Sequence, residues 1–196
     1  HCTCRRQRQM CIRDRTSRIF SGNENAKITI IAYESLTCSH CADFHKIVYP
    51  KLKKDFIDTG HVKLEFRHFP LDIAALNAAK IAQCKKDQSL EILESLYFNQ
   101  QDWVKGSTIE EVNNNLKLFV KNQGFNINFE ECLNNKVIED FILNDRVEGT
   151  KNFKVNATPT IIINNEKFEK SLNYKNLKKT LETVSYTHLT LPTTSA

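Results

Sequence analysis

The pattern of hydrophobic and polar positions begins with strand-like and helix-like stretches in alternation. Residues 27–34 form a run of β-branched and aromatic side chains, which predicts a buried strand. From Cys41 to Leu52 the apolar positions recur at helical spacing; Pro50 is expected to kink this helix and Gly60 to end it. Residues 61–69 alternate between apolar and charged side chains, which predicts a second strand. This part of the chain therefore has the order β-α-β.

Residues 72–146 show helical periodicity and no strand-like alternation. Five helices are predicted there: an alanine-rich one, one with a leucine stripe, one opened by a capping box at residues 107–110, a short one containing Cys132, and a last one striped by Val137 and Phe141. A block of this length without strands is expected to form an all-helical insert.

Strand signals return after the helical block. Residues 160–163 predict a strand, the pair Asn164–Asn165 predicts a turn, and residues 166–170 predict the returning strand of a hairpin. An amphipathic helix closes the pattern. The full order, β-α-β, helical insert, β-β-α, predicts an α/β protein whose core comprises residues 19–71 and 147–184 and is interrupted by the insert, residues 72–146.

The excess positive charge lies at the N-terminal end. Residues 1–18 contain six arginines and one aspartate, a net charge of +5 that equals the charge of the whole chain. Residues 1–15 and 184–194 show no amphipathic periodicity and resemble translated sequencing-adapter read-through. We therefore expect residues 1–18 and 185–196 to be non-native or disordered tails. With the N-terminal stretch set aside, no basic patch for nucleic acid remains.

Four of the seven cysteines lie outside these tails: Cys38, Cys41, Cys84 and Cys132. An even set with one close pair fits an oxidising compartment. No stretch approaches the roughly 18 apolar residues of a membrane helix. No signal peptide is visible in this chain.

The close pair, in the motif Cys38-Ser39-His40-Cys41, carries the chemistry. Placed where a strand turns into a helix, Cys38 lies at the helix N-terminus, where free backbone N–H groups and the helix dipole stabilise a thiolate. Cys38 is the candidate nucleophile, and Cys41 is placed to resolve a mixed disulfide. His40 is expected to add to the stabilisation of the thiolate, which favours an oxidant; the alternative is that it fills an exposed position.

Three segments resemble DsbA-type proteins of the thioredoxin-like superfamily. They are the residues around the Cys38–Cys41 motif, from Tyr33 to His45; the stretch from Arg67 to Asp72, similar to the segment leading into that family's helical insert; and the stretch from Val155 to Thr160. The resemblance covers residues 22–184. It implies a thioredoxin fold with an all-helical insert and a periplasmic protein that introduces disulfides into exported proteins.

The resemblance also implies a cis peptide bond before Pro159, facing the active-site pair. A cis bond there would expose the backbone of Thr158 for pairing with an extended substrate. Unfolded or reduced exported proteins are the implied partners, together with a membrane-bound protein that restores the disulfide; a monomer without cofactor or metal is expected. Ser39 stands where the family most often has proline, and Thr158 also occurs in isomerase-type relatives. A reductase or isomerase, and a non-catalytic binding module, therefore remain alternatives.

The remaining candidates have more than one interpretation. Cys84 and Cys132 are expected to form a structural disulfide that staples the insert, although two separate buried thiols, or a zinc site shared with Cys38 and Cys41, would use the same residues. Glu34 is expected to be a solvated carboxylate at the sheet edge rather than an inward-facing group that tunes Cys38. His45 and His68 are expected to be core histidines.

Overall fold

The computed structural model describes residues 16–190, with side chains to residue 185. A five-stranded mixed sheet forms the core, in the order β1-β3-β2-β4-β5. Its strands are β1 (Ile19–Ser21), β2 (Ile28–Glu34), β3 (Val62–His68), β4 (Thr160–Ile163) and β5 (Glu166–Lys167).

The central strands β2 and β3 are parallel, and β2 pairs with β4 in antiparallel register, Ile31 opposite Ile162. β2 is buried on both faces, which explains its continuous apolar sequence. Ile31 packs with Phe69 and Val155 in a cluster on one face, whereas Ile30 and its even-numbered neighbours belong to the larger core.

Helix α1 covers residues 39–57 and follows β2 after a short turn. It consists of four consecutive segments, of which the second and fourth are π-helical: Ser39–Asp43, Phe44–Val48, Tyr49–Leu52 and Lys53–Ile57. Pro50 lies in the third segment, directly after the first π-helical turn. The irregularity predicted at Pro50 is thus accommodated by wider helical turns on either side of it.

The predicted insert consists of helices joined by short loops, and no strand occurs within residues 72–146. Its helices are α2 (Ile73–Gln83), α3 (Ser89–Phe98), α4 (Gln100–Trp103), α5 (Ile109–Asn122), α6 (Phe129–Leu133) and α7 (Lys136–Phe153). α2 lies at the centre, in contact with α3, α5, α6 and α7. Buried alanines such as Ala78 and Ala82 allow this close approach.

Side chains cap the starts of two insert helices. Asn128 caps α6 by accepting from the backbone N–H of Glu131. At α5 the N-cap is Thr108 rather than Ser107, because the Thr108 hydroxyl accepts from the N–H of Glu111 and Glu111 in turn accepts from the N–H of Ser107.

The predicted hairpin after the insert has the expected turn. Asn164 and Asn165 both have positive φ, 46° and 68°, as the tight hairpin turn requires. The second strand ends at Lys167, earlier than predicted. Helix α8 (Tyr174–Thr190) then packs on α1 and β2 and places Leu177 and Leu181 in the core.

The structure differs from the predicted boundaries at both ends of the fold and at the end of the insert. Arg18, assigned to the N-terminal tail, forms ion pairs with the buried Asp145 of α7 and with Glu65 of β3. Helix α8 continues past residue 185, and α7 crosses the boundary drawn at residue 146. Residues 1–15 and 191–196, the rest of the predicted tails, lie outside the described residues.

Candidate active site

Cys38 is the N-cap residue of α1. The turn between Glu34 and α1 is closed by a hydrogen bond from the Cys38 N–H to the carbonyl of Ser35, at 3.0 Å. Cys38 is half-buried, whereas Cys41, one turn along the helix, is fully buried. The nucleophile position is thus open to a reaction partner, and the second cysteine is shielded.

The surroundings of the two thiols push their acidities apart. A hydrogen bond from the Cys41 thiol first, then those from the Thr158 side chain and from the backbone N–H groups of Cys41 and His40, lower the pKa of Cys38 to about 5, although partial burial opposes them. Burial first, then the neighbouring Cys38 and the Glu34 carboxylate, raise the pKa of Cys41 far above that of an ordinary thiol. Near neutral pH the pair therefore holds a thiolate at Cys38 and a thiol at Cys41.

The loop before β4 faces Cys38. The peptide bond between Thr158 and Pro159 is cis, and Sγ of Cys38 lies 3.4 Å from the Thr158 carbonyl oxygen, to which it donates when it is protonated. The structure thus brings together Cys38, Cys41, Thr158 and Pro159, four of the predicted site residues.

His40 is the fifth. Its backbone N–H contributes to the stabilisation of the Cys38 thiolate, while its imidazole is exposed to solvent. The side chain lies at the mouth of a groove and not under the two cysteines.

That groove has a volume of about 740 Å³ and begins at the cis peptide. Apolar and aromatic side chains from α1, from the start of α8 and from the loop before it line much of the groove: Phe44, Ile47, Val48, Leu172 and Tyr174. Its charged lining residues are Asp43, Lys51 and Lys175. Ile47 is 59% exposed and lies on the wall of this groove.

Glu34 corrects the sequence-based expectation of a solvated carboxylate. Its side chain is buried, and its Oε2 lies 2.8 Å from Nε2 of His45, which is fully buried and stacks on Tyr97. The expectation that His45 and His68 are core histidines is confirmed, since both are buried. The alternation of side chains along β2 could have predicted the burial of Glu34, because Glu34 lies on the same face of the strand as Ile30 and Ala32.

Gln100 was missed by sequence reasoning. This buried residue at the start of α4 donates from Nε2 to the carbonyl oxygens of Leu36, at 2.8 Å, and of Cys38, at 3.0 Å. No motif marks it, because the contact joins residues 62 and 64 positions apart.

Cys84 and Cys132 lie elsewhere, in the insert. They are joined by a disulfide between the end of α2 and α6, with their Cα atoms 5.7 Å apart. Two separate thiols, and a zinc site that shares them with Cys38 and Cys41, are therefore both wrong. Across residues 16–190 no cluster of three or more potential metal ligands occurs.

The sequence profile described as thioredoxin matches residues 14–183. The chain belongs to the thioredoxin family. Its fold, with the helical insert, is shared with alpha-DsbA1 of Wolbachia pipientis, at a TM-score of 0.79 and 27% identity over 88% of this chain and 93% of that one. BdbD of Bacillus subtilis shares the fold at a TM-score of 0.71 and 24% identity, over 85% of this chain and 91% of that one.

Sequence relatives of this thioredoxin-family chain have related names. A Rickettsia conorii protein that carries the provisional name protein-disulfide oxidoreductase is 31% identical over 73% of this chain and 52% of its own length. Disulfide bond formation protein D of Bacillus subtilis is 26% identical over 82% of this chain and 74% of its own length. The chain thus spans about half the length of the rickettsial relatives.

Proposed function

We propose that this chain is a protein thiol–disulfide oxidoreductase that introduces disulfides into other proteins through Cys38 and Cys41. The observation that carries the proposal is the contrast between an acidic, accessible Cys38 at a helix start and a buried, non-acidic Cys41 beside it. A stable thiolate at Cys38 favours the reduced form of the pair, and a pair that favours its reduced form is an oxidant toward other thiols.

The reaction has two exchange steps. A substrate thiolate attacks Sγ of Cys38 in the oxidised pair, the Cys38–Cys41 bond breaks, and the Cys41 sulfur takes up a proton. A second substrate thiolate then attacks the substrate sulfur of the mixed disulfide and releases Cys38 as a thiolate. Two electrons pass from the two substrate thiols to the cysteine pair, and the substrate gains one disulfide.

Thr158 and Pro159 are proposed to bind the substrate. The Thr158 carbonyl lies beside Cys38, where an extended segment that carries the reacting cysteine can pair with the backbone. The apolar groove along α1 and α8 continues from this point and fits the side chains of an unfolded chain.

The wider setting is proposed on the strength of the relatives. Reduced, exported proteins are the proposed substrates in a bacterial periplasm, a membrane-bound partner restores the disulfide, and the protein acts as a monomer. Within the described part of the chain, no helix combines the length and the apolar character needed to cross a membrane.

The reduction potential tests the direction of the reaction. Equilibration of the pair with glutathione should give a potential close to the roughly −120 mV of strong oxidants; a value near about −270 mV would favour a reductase. An assay that follows disulfide formation in a reduced, unfolded protein tests the activity directly. No transfer in either direction would leave the binding-module alternative.

A further inference from the structure

Gln100 connects the helical insert to the backbone of the nucleophile. Gln100 is 7% exposed, and its NH₂ group offers two hydrogens for two acceptors, the carbonyl oxygens of Leu36 and Cys38. A residue of the insert therefore holds the peptide oxygen of Cys38 itself, as well as that of the turn before it.

The helix that carries Gln100 is firmly attached to the insert. Trp103 at the end of α4 is fully buried, and its ring N–H donates to the carbonyl of Leu96 in α3 at 3.0 Å. Helix α3 in turn contacts the first segment of α1. The amide of Gln100 is thus presented from a fixed position and needs no rearrangement to meet the active-site turn.

The two carbonyls matter because they lie in the turn that sets the position of the sulfur. The Cys38 carbonyl also accepts the N–H of Ala42 at 3.2 Å, the first hydrogen bond of α1. Fixing this oxygen keeps the N–H groups of His40 and Cys41 directed at Sγ. The amide also places donor hydrogens against two carbonyl oxygens whose partial negative charge would otherwise oppose a thiolate nearby.

We propose that Gln100 is a positioning residue of the exchange reaction, which stabilises the Cys38 thiolate through the Leu36 and Cys38 carbonyls and so makes the Cys38–Cys41 disulfide more oxidising. The inference rests on the proposed role of Cys38 as the nucleophile. It makes the insert part of the redox centre, because a side chain of the insert donates to the backbone carbonyl of Cys38.

The variant Gln100→Met tests the proposal, since methionine has a similar length and no donor. The pKa of Cys38, followed by thiolate absorbance or by the pH dependence of alkylation, should rise. The equilibrium constant for oxidation of glutathione should fall about three- to tenfold, a shift of about 15–30 mV at 29.6 mV per tenfold change.

Gln83→Met is the matched control. Gln83 is equally buried, at 2% exposure, and its Nε2 donates to the carbonyl of Ser17 at 2.6 Å. It lies at the end of α2 away from Asp72, the N-cap that contacts Thr37 beside Cys38. Gln83→Met should lower the free energy of unfolding and leave the pKa of Cys38 unchanged.

A second variant keeps the test decisive if Gln100→Met does not fold. Gln100→Asn retains the amide but withdraws it by one methylene, so the pKa of Cys38 should rise by a smaller amount. An unchanged pKa in the Gln100 variants, or an equal rise in Gln83→Met, would overturn the inference. A wild-type Cys38 without an acidic thiol would instead overturn the proposed function, so the two failures are distinguishable.

Discussion

The two cysteine pairs of this chain contain the same chemical groups in opposite surroundings. Cys38 and Cys41 are three residues apart at the start of a helix, and Cys38 faces a groove and the carbonyl of Thr158. Cys84 and Cys132 are 48 residues apart, and their bond joins two packed helices, with Cys132 2% exposed.

The place of each pair in the fold therefore determines whether its disulfide exchanges or stabilises. At a helix start the thiolate is stabilised, so reduction of the bond is favourable and the pair can exchange. Between two helices of the insert the bond closes a long loop, so its main effect is on the free energy of the unfolded chain. The first pair is expected to carry activity and the second stability.

The largest expected effect separates the two pairs by activity. Cys38→Ser should reduce thiol–disulfide exchange by on the order of a thousandfold or more, because serine cannot form the mixed disulfide. The double variant Cys84→Ala/Cys132→Ala should keep activity within about threefold of wild type at a temperature where it stays folded. The measurement is oxidation of a reduced, unfolded protein; strong loss in the double variant would contradict the division of roles.

The second prediction concerns the pH dependence of Cys38. With a pKa of about 5, Cys38 is mostly thiolate at about pH 6, where an ordinary thiol is under about one per cent ionised. Alkylation of the reduced protein at that pH should label Cys38 tens to hundreds of times faster than a model thiol, with Cys41 unlabelled. Faster labelling of Cys41 would reverse the assigned roles.

The same lowered pKa links stability to pH. The folded pKa of Cys38 is below that of the unfolded chain, so the stabilisation is present in full above about pH 8.5 and is lost as pH falls through about 5. The reduced protein should therefore gain stability relative to the oxidised protein as pH rises between these values. Urea unfolding of both forms measures this difference, and the oxidised form, in which neither sulfur titrates, is the control.

The third prediction concerns the contribution of the Cys84–Cys132 disulfide to stability. Removal of the insert disulfide in Cys84→Ala/Cys132→Ala should lower the free energy of unfolding by about 2–4 kcal/mol, the usual range for a closed loop of this length. Urea denaturation measures it, with reduced wild-type protein as a reference for the intact side chains. A change below about 0.5 kcal/mol would mean that the bond adds little to the packing of α2 and α6.

The fourth prediction concerns His40. Its imidazole lies in the first turn of α1, so His40→Ala should make the Cys38–Cys41 disulfide less oxidising, with an equilibrium constant lowered about fivefold. Ser39→Ala, an equally exposed neighbour without a titratable group, should change it little. Equal potentials for wild type and His40→Ala would mean that the side chain only fills the surface.

The sequence predicted those parts of the fold that local patterns determine. β2 and β4 appear as predicted because their runs of β-branched residues match a buried sheet, and β3 appears because its apolar and charged positions alternate. The insert helices appear because periodicity and caps are local. β1 was missed because three residues are too few to show a period. Cys38 and Cys41 could be predicted as the reactive pair because their chemistry depends on a local feature, two cysteines three residues apart at the start of a helix.

The parts of the site that escaped prediction are formed by contacts between distant residues. Gln100 meets Cys38 across 62 positions, and Glu34 meets His45 only because α1 folds back over β2. Arg18 was assigned to a tail on composition, yet it pairs with Asp145 across 127 positions. The pattern of hydrophobic and polar residues along the sequence does not show which buried polar groups will pair in the folded protein.

The last prediction, with the smallest expected effect, concerns substrate binding in the groove beside Cys38. Ile47 is exposed and lines it, so Ile47→Ser should raise KM for a peptide substrate about threefold through loss of apolar contact, while the pKa of Cys38 and the reduction potential stay unchanged. Val147→Ser, at 61% exposure on α7, removes a similar apolar side chain outside the groove and is the matched control. If both variants leave KM unchanged, the substrate is held by the Thr158 backbone and Cys38 alone. If Ile47→Ser lowers kcat with KM constant, the groove acts on the exchange step itself.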